Sequence, residues 1–135
     1  MKSEDFDNVV NECIEIIKES LKSKAKEYAM ENDDRFINFK RGAEVKGTTP
    51  EDVLFGYWLK HLVSIFDIID KITAENKKTG LIFTVNPEGI GIPEEMVDEK
   101  IKDAINYLIL LKGLLKERYH YGKIRKRGNS GDSSV

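Results

Sequence analysis

Cysteine and proline are scarce in this chain of 135 residues, and no long apolar run occurs in it. The single cysteine, Cys13, excludes an internal disulfide and a zinc site built from cysteines. No stretch approaches the roughly 18 consecutive apolar residues of a membrane span, and the acidic N-terminal residues lack the apolar core of a signal peptide. We therefore expect a cytoplasmic protein, in the host cytoplasm if the chain is viral, with no membrane partner.

Neither sign of charge is in excess, because 22 Lys and Arg residues face 24 Asp and Glu residues, for a net charge of −2. This balance gives no reason to expect nucleic-acid binding. The length is sufficient for one domain with its own core but not for two. We expect a single helical domain over residues 1–121, followed at 122–135 by a disordered tail of basic and then Ser/Gly-rich composition.

The N-terminal part of the chain predicts two helices. Apolar residues recur at three- and four-residue steps from about Glu4 to Met30, which is typical of an amphipathic helix, and Ser3 is its expected N-cap. After a polar break, a shorter helix is expected over residues 35–46, ending at Gly47.

Two further long helices follow. Thr49 and Pro50 have the positions of an N-cap and a first helical residue, so a third helix is predicted from there to about Glu75. Its apolar residues cover most of its circumference, which predicts the central, most buried helix. The last helix is expected at about 94–119. The fold class is therefore all-α, a bundle of three long helices and one short one, with an irregular loop or small hairpin at about 76–93 in which residues 81–85 could form a short strand.

One row of carboxylates on the last helix is the best indication of function. At 100° per residue, Glu95, Glu99, Asp103 and Asn106 fall within an arc of about 80°. Three carboxylates and an amide on one face can bind a hard divalent cation such as Mg²⁺, together with phosphates. The alternative is an ordinary solvated helix face.

The third helix carries a second polar stripe, formed by Lys60, Ser64, Asp67 and Lys71, with His61 beside it. Two apolar helices with one polar stripe each are explained if the stripes face each other across a pocket. The alternative is a buried ladder of ion pairs in which Lys60 or Lys71 pairs with Asp103 or Glu99 and no ligand is bound.

Several segments together resemble a phage-associated branch of the MazG-like, all-α nucleoside triphosphate pyrophosphohydrolases, the small "nucleotide modification associated" proteins. The most specific part is the run from Glu95 to Leu111, where Asp103, Asn106 and Tyr107 follow an acidic turn. The other matching pieces lie between residues 24 and 117: Lys26-Glu27-Tyr28, Asn38-Phe39-Lys40, Ala43-Glu44, Gly47-Thr48-Thr49-Pro50, Lys60-His61, Ser64-Ile65 and Asp67.

The resemblance implies a helical bundle that binds a nucleotide with Mg²⁺, or alternatively Mn²⁺, and is usually a dimer or tetramer. Glu99 and Asp103 occupy the second metal motif of these enzymes, at i, i+4 instead of i, i+3. The first motif lacks its glutamate pair, and Ser64, Asp67 and Asp70 stand in its place.

On this basis we expect a catalytic role for Glu99 and Asp103, with Glu99 as a base. The expected metal ligands are Glu95, Glu99, Asp103 and Asp67. The expected nucleotide-binding residues are Lys60, His61, Ser64, Asn106, Asn38 and Lys40.

Three functions compete. The first is a Mg²⁺-dependent pyrophosphohydrolase that converts a (d)NTP to its monophosphate and pyrophosphate. The second is a non-catalytic phage protein that sequesters or senses a nucleotide or nucleotide signal. The third is a structural helical adaptor whose stripes are internal ion pairs. Because the apolar surface of the third helix exceeds what a three-helix monomer can cover, we also expect a homo-oligomer, a homodimer or a homotetramer.

Overall fold

The computed structural model describes residues 1–28, 34–80 and 91–131, and all its regular elements in these ranges are helices. They are α1 (Ser3–Tyr28), α2 (Ile37–Lys46), α3 (Pro50–Thr79) and α4 (Glu94–Gly131). The all-α class is thus confirmed. The strand considered at 81–85 lies outside the described residues. None of the described helices is both long and apolar enough to cross a membrane.

The predicted start of α3 and end of α2 are confirmed, whereas Ser3, the expected N-cap of α1, is instead the first residue of that helix. Thr49 is extended, and its side chain accepts a hydrogen bond from the backbone N–H of Asp52, with Pro50 at the first helical position. Gly47 ends α2 in the left-handed conformation, at φ 65°, where its lack of a Cβ avoids strain.

Other boundaries differ from the prediction. The first residues expected in α2, Arg35 and Phe36, form a turn instead, because the Asp34 carboxylate accepts the Phe36 N–H at 2.9 Å. Helix α3 continues to Thr79, beyond the expected end at Glu75, because the first stop signal is Gly80.

The last helix is the longest in the protein. Helix α4 runs on to Gly131, past the expected end at Tyr119. This extension contains no proline, and a single glycine such as Gly122 costs a helix only about 1 kcal/mol. Residues 132–135 lie outside the described part of the chain.

The helices pack in the sequence α1–α4–α3–α2. Helices α3 and α4 are antiparallel, since Arg118 in the second half of α4 binds Glu51 at the start of α3, and Asp103 in the first half of α4 contacts His61 further along α3. The few fully buried apolar residues lie around this pair: Ala43, Val53, Leu54, Ile92, Ala104 and Leu114.

Helix α3 lies between α2 and α4, but the single chain does not bury most of the apolar surface that was expected to be covered. Only Val53 and Leu54 of α3 are buried, whereas residues such as Phe55 and Phe66 are about half exposed. Apolar periodicity indicates that a helix face needs cover, and here no described helix of the same chain provides it.

Candidate functional site

All four helical regions contribute to a cleft of about 290 Å³ in the middle of the molecule. Its floor is α4, and α1, the start of α2 and α3 form its walls. The described residues that line it are Leu21, Lys24, Arg35, Asn38, Phe39, Tyr57, Asn106, Tyr107 and Leu110. Both charged side chains among them are cations, and three of the others are aromatic.

The amide of Asn106 lies in the floor of this cleft and is only 1% exposed. Its Nδ2 donates a hydrogen bond of 2.8 Å to Ser20 Oγ on α1. Its Oδ1 is buried without a hydrogen-bond partner among the described residues. A buried acceptor left unpaired costs roughly 1–3 kcal/mol, so a hydrogen-bond donor on a bound ligand would stabilise this amide.

A second unpaired polar atom belongs to Arg35, whose Nη1 is buried without a hydrogen-bond partner in the described ranges. Arg35 lies in the turn before α2, where the neighbouring carboxylate of Asp34 is already engaged by the Phe36 N–H and by Lys40. Neither Arg35 nor Lys24 forms an ion pair with a described residue. Among the described residues, the cleft lining therefore carries two positive charges and no carboxylate to neutralise them.

The aromatic walls are held in place by contacts with other rings. Phe39 and Tyr57 meet edge to face, with their centroids 6.4 Å apart. Tyr107 stacks on His61 at 5.1 Å with an angle of 28° between the rings. Rings fixed in this way present flat apolar surfaces of the kind that a planar heterocycle contacts well.

His61 lies on the other side of Tyr107 and contacts the Asp103 carboxylate, with Nδ1 at 3.5 Å from Oδ2. Burial lowers the pKa of His61, and Asp103 opposes this only in part. The imidazole is therefore neutral at pH 7. Among the described contacts, Asp103 meets His61 instead of Lys60 or Lys71, so the ladder considered as an alternative does not form through this carboxylate.

Three of the predicted metal ligands lie on one face of α4 and the fourth, Asp67, lies on α3, and they do not come together in one group. Glu95 and Glu99 are exposed, as is Asp67 on α3, while Asp103 is mostly buried against His61. Across residues 1–28, 34–80 and 91–131, no three His, Cys, Asp or Glu side chains come close enough together to bind a metal ion. The assignment of a Mg²⁺ or Mn²⁺ site to these residues stays a prediction.

The predicted nucleotide-binding residues divide between three locations. Asn38 and Asn106 line the cleft, and His61 supports its Tyr107 wall. Lys60 is exposed, and Ser64 donates a hydrogen bond to the Lys60 carbonyl at 3.0 Å.

Lys40 lies elsewhere, in a groove shared with Glu51 and Arg118. Its ammonium group is 2.7 Å from Asp34 and 2.5 Å from Glu117, and these hydrogen bonds raise its pKa, that with Asp34 the most. Lys40 therefore joins α2 to α4.

Sequence reasoning missed the two cations of the cleft and its Tyr57 wall. Lys24 and Arg35 lie on different elements, and nothing in their local sequence separates them from the many other basic residues. Asn106 was detectable, because an amide inside the apolar run of α4 requires a partner.

No protein-family model, no curated protein and no solved structure matches this chain.

Proposed function

We propose that this chain binds a nucleotide in the cleft above Asn106. The observation that supports the proposal best is the pair of buried, unpaired polar atoms at the cleft, the Asn106 Oδ1 acceptor and the Arg35 Nη1 donor. A ligand with an N–H group and an anionic group would satisfy both atoms.

Each part of a nucleotide has a counterpart among the lining residues. A phosphate would contact Lys24 and Arg35, since guanidinium and ammonium groups form strong hydrogen bonds to phosphate oxygens. The base would lie against the aromatic walls, where stacking contributes on the order of 1–3 kcal/mol per base. The cleft volume of about 290 Å³ is near the lower end of the range for small-molecule pockets, roughly 300–1,000 Å³.

A binding experiment with matched variants tests this function. We expect at least one nucleotide from a panel to raise the melting temperature, and titration calorimetry to give its affinity. Arg35→Gln should weaken binding about 10-fold or more, because a charge-assisted hydrogen bond contributes about 1.5–3 kcal/mol. Arg41→Gln, which changes an exposed arginine of α2 outside the cleft, is the control. The proposal fails if no nucleotide binds, or if both variants bind equally well.

Hydrolysis of the nucleotide to its monophosphate and pyrophosphate is the second candidate. In its favour, Asp103 and Glu99 extend from Asn106 along the same face of α4, by one and two turns. Binding alone is the first candidate because the unpaired atoms of Asn106 and Arg35 bear on binding and not on hydrolysis.

Product analysis separates the two candidates. The protein is incubated with a dNTP panel and Mg²⁺ or Mn²⁺, and monophosphate and pyrophosphate are measured. An enzyme would release both products, and Asp103→Asn would abolish this while nucleotide binding persists. Binding without any product would leave the protein a nucleotide-sequestering or nucleotide-sensing module.

A further inference from the structure

One side of the α3–α4 pair carries an apolar surface that the described helices leave largely uncovered, although Ile101 at its edge also lines a pocket against α1. We call this surface the back face. Its members are between 37% and 55% exposed: Phe55, Leu59, Phe66 and Ile69 on α3, and Ile101, Leu108 and Leu115 on α4.

Helix geometry places these residues on one continuous surface. Phe66 follows His61 by five positions, and Leu108 follows Asp103 by five, so each is rotated by about 140° from the contact between the helices. Because α3 and α4 are antiparallel, equal rotations carry both side chains to the same side of the pair. Tyr57 and Asn106 are rotated in the opposite sense, so the cleft lies on the other side.

The remaining helices pack away from the back face. Helix α2 meets α3 on the cleft side, through the Phe39–Tyr57 ring contact and the close approach of Gly42 to Val53. Helix α1 packs against α4, and Ser20 on α1 reaches Asn106 in the cleft floor. The described helices therefore enclose the cleft and leave the back face open except at Ile101, which borders α1.

The segment that joins α3 to α4 is too short to cover the whole of this surface. Residues 81–90 are attached at both ends, so at most five of the ten residues can lead away from the helix ends. At roughly 3.4 Å per residue, the segment reaches no more than about 17 Å from the helix ends. Phe55 lies about 36 Å along α3 from Thr79, at 1.5 Å per residue. The distant half of the back face thus needs a different cover.

The spacing of the back face matches the seam of a helical bundle. On α3 the apolar positions are 55, 59, 62, 66 and 69, and on α4 they are 101, 104, 108, 111 and 115. Alternating steps of three and four residues are what pairs of packed helices require. Seven half-exposed side chains of this size present on the order of 600 Å² of apolar surface, since a large side chain buries about 150–250 Å² when covered.

That area points to one kind of partner. We propose that a second copy of this chain covers the back face, so that α3 and α4 of two protomers form a four-helix bundle about a twofold axis. Two such surfaces together approach the roughly 1,200–2,000 Å² of a specific interface, and each matches or exceeds the largest apolar patch of a typical monomer, about 300–600 Å².

Mass measurement with two phenylalanine variants tests the interface. Light scattering at micromolar concentration should give about 31 kDa, twice the 15.5 kDa of one chain. Phe66→Glu places a charge in the middle of the seam and should weaken self-association at least 100-fold, to a particle of one chain. Phe6→Glu is the matched control, because Phe6 on α1 is 57% exposed against 55% for Phe66, yet it lies outside the back face. This variant should remain a dimer.

Circular dichroism tests whether Phe66→Glu keeps its helical content. If this variant loses helical content, Leu108→Glu provides a second interface variant. The melting temperature of the unmodified protein should also rise with protein concentration, because association stabilises the folded state by mass action. A wild-type mass of one chain with a concentration-independent melting temperature overturns the proposal. So does a dimer that Phe6→Glu dissociates and the two interface variants leave intact.

Discussion

The change Asn106→Leu removes a buried amide and replaces it with an apolar side chain that has the same number and branching of heavy atoms. We expect the ligand-free protein to become equally stable or more stable. Losing the hydrogen bond from Nδ2 to Ser20 costs about 1 kcal/mol, while removing the unpaired Oδ1 recovers about 1–3 kcal/mol. The net expectation is a gain of about 0–2 kcal/mol, or up to roughly 8 °C in melting temperature.

The same change should greatly reduce nucleotide affinity, because the leucine offers no acceptor to a bound N–H group. Urea denaturation followed by circular dichroism gives the stability of the ligand-free protein, and calorimetry gives the affinity. Ser20→Ala is the informative companion, since it removes the partner of Nδ2 and leaves the amide in place. That variant should lose about 1 kcal/mol of stability.

One result would refute the reasoning. If Asn106→Leu costs the ligand-free protein more than about 2 kcal/mol, the amide is a structural link between α1 and α4 and is not kept for a ligand. Unchanged nucleotide affinity in this variant would contradict the proposed role of Oδ1 as well.

Three further changes test the fold. Gly113→Ala should be about 1–3 kcal/mol less stable than Gly122→Ala, because a Cβ at Gly113 would lie 2.6 Å from Phe36 Cζ whereas the position of Gly122 is open, and both gain the same helix propensity. Burial lowers the pKa of His61, so just below pH 6.5 the unfolded chain binds more protons than the folded chain. The unfolding free energy should therefore fall as the pH is lowered from 7 to 5, and it should fall less in His61→Phe. Truncation before Gly122 should change the unfolding free energy by less than about 0.5 kcal/mol, because the side chains at 122–129 are exposed, and should leave nucleotide affinity unchanged; a large loss of affinity would instead indicate a basic arm at the site.

The sequence predicted the helices best where a local signal marks them. Thr49 with Pro50 fixed the start of α3, and Gly47 fixed the end of α2, because capping is decided by a few neighbouring residues. The end of α4 lies beyond the predicted Tyr119, because lysine and arginine, which are frequent among the residues that follow, are good helix formers.

The candidate site was only partly accessible from the sequence. Asn106 was predicted because it falls on the same helix face as Glu95, Glu99 and Asp103, which helical periodicity alone reveals. The presence of Lys24 and Arg35 in the same cleft depends on how α1 and α2 pack on the α3–α4 pair, which no local pattern specifies. The exposure of the apolar face of α3 could not be predicted for a similar reason. Periodicity reveals an apolar face but not whether the same chain or another copy covers it.

The apolar residues of α4 nevertheless carry information about both sides of the molecule. A helix that is apolar around its circumference is normally enclosed on every side. In one chain α4 has α1 and α3 as neighbours and a cleft above it, so its back face is the apolar side that lacks a cover. A twofold bundle through that face would enclose α4 without obstructing the cleft, which is completed within one protomer and opens on the opposite side. Dimer formation and nucleotide binding would then depend on separate residues: Phe66 and Leu108 for the first, Arg35 and Asn106 for the second.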